Sequence, residues 1–117
     1  MLPPTRKQSI MTELHIKTLT CVKKQDTAGK DEVVLKIGGR TIAGPYLMAK
    51  GDLLVPNVTE PFTTSVQVTL IEEDAGTDDD LGTVTVYDTL PHLDNQDGVF
   101  HRLSGADYHM VYHIHTE

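Results

Sequence analysis

Two segments of this chain carry carboxylates spaced closely enough to hold a hard cation. The first is Asp26-Thr-Ala-Gly-Lys-Asp31-Glu32, and the second is Glu72-Glu73-Asp74-Ala-Gly-Thr-Asp78-Asp79-Asp80-Leu-Gly82. Ca2+ takes roughly six to eight oxygen ligands from carboxylates, backbone carbonyls and water. Without a cation, carboxylates gathered in one place repel one another. Asp26 and Asp31 can supply ligands from one segment. Glu72, Asp74 and one or two of Asp78, Asp79 and Asp80 can supply them from the other. The second run is not an EF-hand, because no D-x-D-x-D-G frame with a Glu at its twelfth position fits it. The bland alternative is a pair of solvated turns, since Asp and Gly are favoured in turns in any case.

Each acidic segment adjoins an apolar run that alternates like a β-strand. Val33, Leu35 and Ile37 follow the first; Val66, Val68 and Leu70 precede the second, with Val84 and Val86 after it. Period-two alternation puts one face of a strand in the core and the other in water. The pattern predicts strands over 12–21, 32–37, 40–44, 52–55, 65–72, 83–88, 99–103 and 107–115. Gly38-Gly39 and Gly44-Pro45 read as stops, and Pro91–Leu93 as one helical turn. No segment carries a helical period. About eight short strands with Gly, Pro, Asn and Asp between them predict an all-β, antiparallel eight-stranded β-sandwich over residues 12–117. Carboxylates on turns at the strand ends would then converge at one end of a sheet.

Residues 1–11 read as an N-terminal arm, with two prolines, two basic residues and no periodicity. It has too few apolar side chains to fold alone. Leu2, Ile10 and Met11 are suited to dock on a protein partner or on a second copy of the chain.

The chain of 117 residues is long enough for one domain with a modest core and too short for two. Aromatics make up 5% and Trp is absent, so that core must rest on Val, Ile and Leu. Net charge is −7, from 17 acidic and 10 basic residues. That balance excludes non-specific nucleic-acid binding, which needs a basic surface. It also disfavours anionic lipid, unless a cation first masks the acidic end. The single Cys21 cannot form an intramolecular disulfide and reads as a small buried hydrophobe. No signal-peptide core or run of transmembrane length is present, which predicts a cytoplasmic protein or one exported by a non-classical route.

The stretch from Leu19 to Ile37 resembles the first calcium loop and second strand of a C2 domain, where an Asp precedes a Gly-x-Ser-Asp-Pro-Tyr-x-x-Val-type run. The stretch Val68–Gly82 resembles the third calcium loop, an Asp-x-Asp run closed by Asp-x-Ile/Leu-Gly. Pro56-Asn57-Val-Thr-Glu60-Pro-Phe62 is similar to the family's Asn-Pro-x-x-Asn-Glu-x-Phe approach to a strand. The close, Gly105-Ala-Asp-Tyr108-His-Met-Val-Tyr112-His-Ile, resembles related bacterial calcium-binding sandwich modules. The resemblance covers residues 12–115 and implies Ca2+ held by Asp26, Asp31, Glu72, Asp74 and Asp79, with Asp80 or Asp78 in place of Asp79. The chain departs from the family in three places. Glu72 stands where Asp is usual, Glu32 rather than Pro follows Asp31, and the third loop is one residue short.

The family likeness raises the question of membranes. The loop tips are Gln25, Thr27 and Ala28 in one loop and Ala75, Gly76 and Thr77 in the other. None buries much hydrocarbon, and small side chains gain little on insertion, so membrane docking is not favoured. Histidines form a second group: His109, His113 and His115 share one strand face, opposite Met110, Tyr112 and Ile114. With His15 or His101 they could ligate Zn2+, but the apolar face reads as the buried one, which leaves them as outward surface residues. Catalysis finds no support, because Ser9, Ser65 and Ser104 lie in no nucleophile setting and no phosphate-binding loop is present. The expectation is a non-catalytic calcium-binding interaction or assembly module; the alternative is a calcium-dependent phospholipid-binding C2 domain.

Overall fold

A computed structural model describes residues 12–24, 29–73, 78–89, 95–101 and 105–116. Within them the alternating runs form nine strands and no helix. They are β1 (Thr12–Lys23), β2 (Asp31–Ile37), β3 (Arg40–Met48), β4 (Leu53–Leu54), β5 (Val58–Phe62), β6 (Ser65–Glu72), β7 (Asp79–Tyr87), β8 (Gln96–His101) and β9 (Asp107–Thr116). One sheet is ordered β3-β2-β6-β7, and the other β4-β1-β9-β8 with β5 also on β1. All pairings are antiparallel. β5 pairs with the first half of β1 and β4 with its second half, so the two form one interrupted edge. Counted that way, the sandwich has the expected eight strand positions.

The core is the inward face of each alternating run. Leu14, Ile16, Leu19 and Cys21 point in from β1, and Val33, Leu35 and Ile37 from β2. Val66, Val68 and Leu70 do so from β6, and Tyr108, Met110, Tyr112 and Ile114 from β9. Burying an aliphatic side chain of this kind stabilises by about 1.5–3 kcal/mol. In β1 the inward positions change parity between Ile16 and Leu19. A bulge between Ile16 and Thr18 absorbs the extra residue and keeps both halves facing the core.

Four strands differ from the sequence reading, among them β8, which begins at Gln96 rather than residue 99. β3 runs on through Gly44-Pro45, which had read as a stop. β3 is an edge strand, where the missing proline N–H costs no ladder bond. β7 begins at Asp79 rather than residue 83, because a bulge beside Leu70 and Ile71 turns Leu81 into the core and lets pairing extend to the acidic residues. β5 had no predicted strand; its alternation is short and Pro61 interrupts it, yet it pairs with β1 along its whole length. The arm, 1–11, and the turn expected at Pro91–Leu93 lie outside the described residues.

Both open sides of the sandwich are closed. On one side Arg40 of β3 donates to Glu60 of β5 at 2.7 Å, linking the two edges. On the other, β7 approaches β8 so closely at Gly82 that a Cβ there would lie 2.8 Å from the His101 amide nitrogen. Chain direction brings Lys23, Asp31, Met48, Leu53, Glu72, Asp79, His101 and Asp107 to one end of the molecule.

Candidate metal centre

Asp31 opens β2 at that end and is fully buried. Glu72 closes β6 opposite Val33, and is 1% exposed. They are the buried charged side chains among the described residues. Asp31 and Glu72 are diagonal neighbours on the core-facing side of one sheet, a backbone separation of roughly 7–8 Å. Asp79 follows on β7, half-buried and paired in register with Glu72. The fold therefore brings Asp31, Glu72 and Asp79 to adjoining strand ends.

The other candidates are placed differently. Asp80 is exposed, and its Oδ1 accepts the Gly82 amide at 2.8 Å, closing the β7 bulge. Asp78 is exposed at the start of that strand. Asp26 and Asp74 lie outside the described residues. Among the described residues no three His, Cys, Asp or Glu side chains converge as a finished ligand cage.

Asp31 is held from across the sandwich. Tyr108 of β9, in the other sheet, donates its hydroxyl to Asp31 Oδ2 at 2.6 Å, and both side chains are buried. The length is that of a charge-assisted O–H···O bond. Cys21 lies beside the same hydroxyl, paired in register with Tyr108. Burial pushes the Tyr108 phenol far above its ordinary ionisation range, and its bond to Asp31 adds to that. Burial likewise pushes the Cys21 thiol up, and the carboxylates of Asp31 and Asp52 add to it against the opposing bond from Tyr108. Burial also raises Tyr112, with the Asp97 charge as the lesser cause.

These directions set an alkaline limit. The folded chain favours the neutral thiol and phenols. Their contribution is complete below the unfolded values, 9.0 for Cys21 and 10.0 for the two tyrosines, and is lost as pH rises past them. The urea midpoint is expected to hold through pH 8 and to fall steadily from about pH 9 upward. Cys21 is expected to react with a thiol reagent only as fast as the chain unfolds. A midpoint constant to pH 11, or rapid labelling of the native protein, would contradict this placement.

The sequence reading missed Asp52. It sits in the connection 49–52, at the same end as Asp31. Its Oδ2 accepts the Ala49 amide at 2.8 Å and its carbonyl accepts the Cys21 amide at 2.9 Å. The Gly51 amide in turn donates to the Cys21 carbonyl at 2.7 Å, so this turn is stapled to β1. The available signal was Gly51-Asp52 between two strands, a turn pair like those in the acidic segments.

The histidines face outward, as their alternation predicts. His15 stacks on His113 across the β1–β9 pair, with ring centroids 4.6 Å apart and planes within 3°. His115 meets His15 edge-on at 6.2 Å. His15 Nδ1 lies 3.1 Å from the Thr59 hydroxyl. His109 lies 3.3 Å from Asp107. Parallel rings do not direct their nitrogens at one point.

No family model matches the chain, and no curated protein matches it. Solved structures do resemble it. One is a C2 domain, with a TM-score of 0.53 and 12% identity, covering 90% of this chain and 97% of that one. A second is human GIVD cytosolic phospholipase A2 in complex with methyl gamma-linolenyl fluorophosphonate inhibitor and terbium chloride. Its TM-score is 0.58 at 12% identity, covering 92% of this chain and 17% of that one. A third contains two C2 domains of extended-synaptotagmin 2, at a TM-score of 0.51 and 13% identity, covering 89% of this chain and 40% of that one. At such identities the likeness shows the fold alone, and the fold is that of a C2 domain. The chain spans a small part of the phospholipase and less than half of the synaptotagmin fragment. No helix among the described residues is long and apolar enough to cross a membrane.

Proposed function

We propose that this C2-type module binds Ca2+ at its acidic end and acts as a non-catalytic interaction or assembly domain. The observation that carries the reading is the complete burial of Asp31 and Glu72 where the acidic segments meet. Carboxylates buried on adjoining strand ends repel one another, and a hard cation with oxygen ligands is suited to this donor set. Asp31, Glu72 and Asp79 would hold the ion from the strand ends. Asp26 and Asp74 would complete the shell from the loops, with Asp80 or Asp78 able to stand in place of Asp79. Bound there, the ion supplies positive charge that relieves repulsion between the carboxylates and lets both loops be ordered together. One neighbour in fold is a complex that includes terbium chloride, a source of another hard cation. The partner, a second copy or another protein, would be met by the N-terminal arm through Leu2, Ile10 and Met11.

A second reading, calcium-dependent phospholipid binding, is favoured by one observation. Val22, Leu47 and Leu53 are 40%, 63% and 59% exposed at the same end as the carboxylates. The small tips that disfavoured membranes belong to the two acidic segments, whereas Leu47 and Leu53 flank the connection 49–52. Inserting each leucine, about three fifths exposed, would gain about 1–2 kcal/mol. Co-sedimentation with phosphatidylserine-containing vesicles separates the readings. An interaction module stays in the supernatant with and without calcium. A lipid-binding domain pellets only with calcium, and Leu47→Asp and Leu53→Asp abolish the pelleting.

A further inference from the structure

We propose that Tyr108 is a positioning residue for the cation site: its hydroxyl fixes the Asp31 carboxylate across the end of the sandwich and so sets the direction in which Asp31 offers oxygen. The inference rests on the calcium reading above. Asp31 belongs to β2 in one sheet and Tyr108 to β9 in the other, and neither has any exposed surface. Their bond of 2.6 Å therefore ties the orientation of one side chain to the packing of both sheets. A carboxylate whose Oδ2 accepts from a buried phenol is held in one orientation, so the direction of its remaining lone pairs is fixed and it adjusts less freely to an ion of another size.

Discrimination between Ca2+ and Mg2+ depends on ligand number, cavity size and how freely the ligands adjust. Hydrogen-bond partners behind a ligating group typically account for about a 10–100-fold change in metal affinity. Tyr108 has the position and the chemistry of such a partner. Tyr112, on the same face of β9 and also buried, lies further from the acidic end, and provides the control.

The test is calorimetric titration of CaCl2 and of MgCl2 into the wild-type protein, Tyr108→Phe and Tyr112→Phe. Tyr108→Phe is expected to raise the calcium Kd about 10–100-fold and to narrow the preference for calcium over magnesium. Tyr112→Phe is expected to match the wild type. In an Asp31→Asn background the Tyr108→Phe effect should vanish, since it acts through that carboxylate. A Tyr108→Phe protein with wild-type or tighter calcium binding, or with unchanged ion preference, overturns the inference while leaving the calcium reading intact. A wild-type protein that binds no calcium overturns both. Should Tyr108→Phe fail to fold, ring resonances in the unmutated protein decide the matter. Those of Tyr108 are expected to move along the calcium-binding curve and those of Tyr112 to stay; a static Tyr108 ring overturns the proposal.

Discussion

Gly82→Ala is expected to destabilise the fold by about 3 kcal/mol or more, lowering the melting temperature by roughly 10 °C. Gly82 has φ +127, a conformation that residues with a Cβ rarely adopt. Its added carbon would lie 2.8 Å from the His101 nitrogen and 3.2 Å from the His101 oxygen, both backbone atoms of β8. No rotamer change can clear them, so β7 and β8 would have to part. The same residue donates to Asp80 Oδ1 and follows the bulge that buries Leu81. Gly98→Ala makes a useful comparison, because its nearest neighbours are the side-chain ends of Val84 and Met110 at 3.0 and 3.1 Å. Those atoms can yield, and the cost should be smaller. Equal melting temperatures for the two variants would show that the β7–β8 approach is not rigid.

Calcium should stabilise the protein strongly and magnesium much less. An ion that binds only the folded state contributes about 2.7 kcal/mol at a hundredfold excess over its dissociation constant, which in a domain of this size raises the melting temperature by roughly 10 °C. Magnesium demands a tighter octahedral shell and keeps its waters, which carboxylates spread over several strand ends are poorly arranged to replace. Thermal unfolding in millimolar CaCl2, MgCl2 and chelator gives the comparison. A melting temperature indifferent to all three would contradict the proposed site.

The fold was legible in the sequence wherever alternation was unbroken. Val66, Val68 and Leu70 face the core with Gln67 exposed between them, and Met110, Tyr112 and Ile114 leave the histidines outside, as the pattern requires. It was illegible where a bulge changes the parity. Leu81 and Val86 are both buried although an odd interval separates them, and only pairing with β6 shows why. That bulge carries Asp79 and Asp80 out of the expected loop and into a strand. Asp97, outside the strand expected over 99–103, likewise lies within β8, opposite Val111. The composition of the acidic end could be read from the chain, but its wiring could not. Tyr108 and Asp31 are 77 positions apart, and nothing local in either segment announces their bond. Asp52 was overlooked because a single carboxylate after a glycine reads as an ordinary turn. Its place beside Cys21 follows from tertiary pairing.

The central claim is that defined carboxylates at one end of this sandwich hold Ca2+. Calorimetric titration of calcium into the wild-type protein, Asp31→Asn and Asp97→Asn tests it most directly. Asp97 is an exposed carboxylate on β8, several residues from the acidic end, and serves as the measure of general acidity. The account predicts saturable binding by the wild type, the same affinity in Asp97→Asn, and at least about a tenfold loss in Asp31→Asn, the cost typical of removing a charged hydrogen-bonding or ligating group. Absence of binding by the folded wild-type protein, or equal losses in both variants, would contradict it.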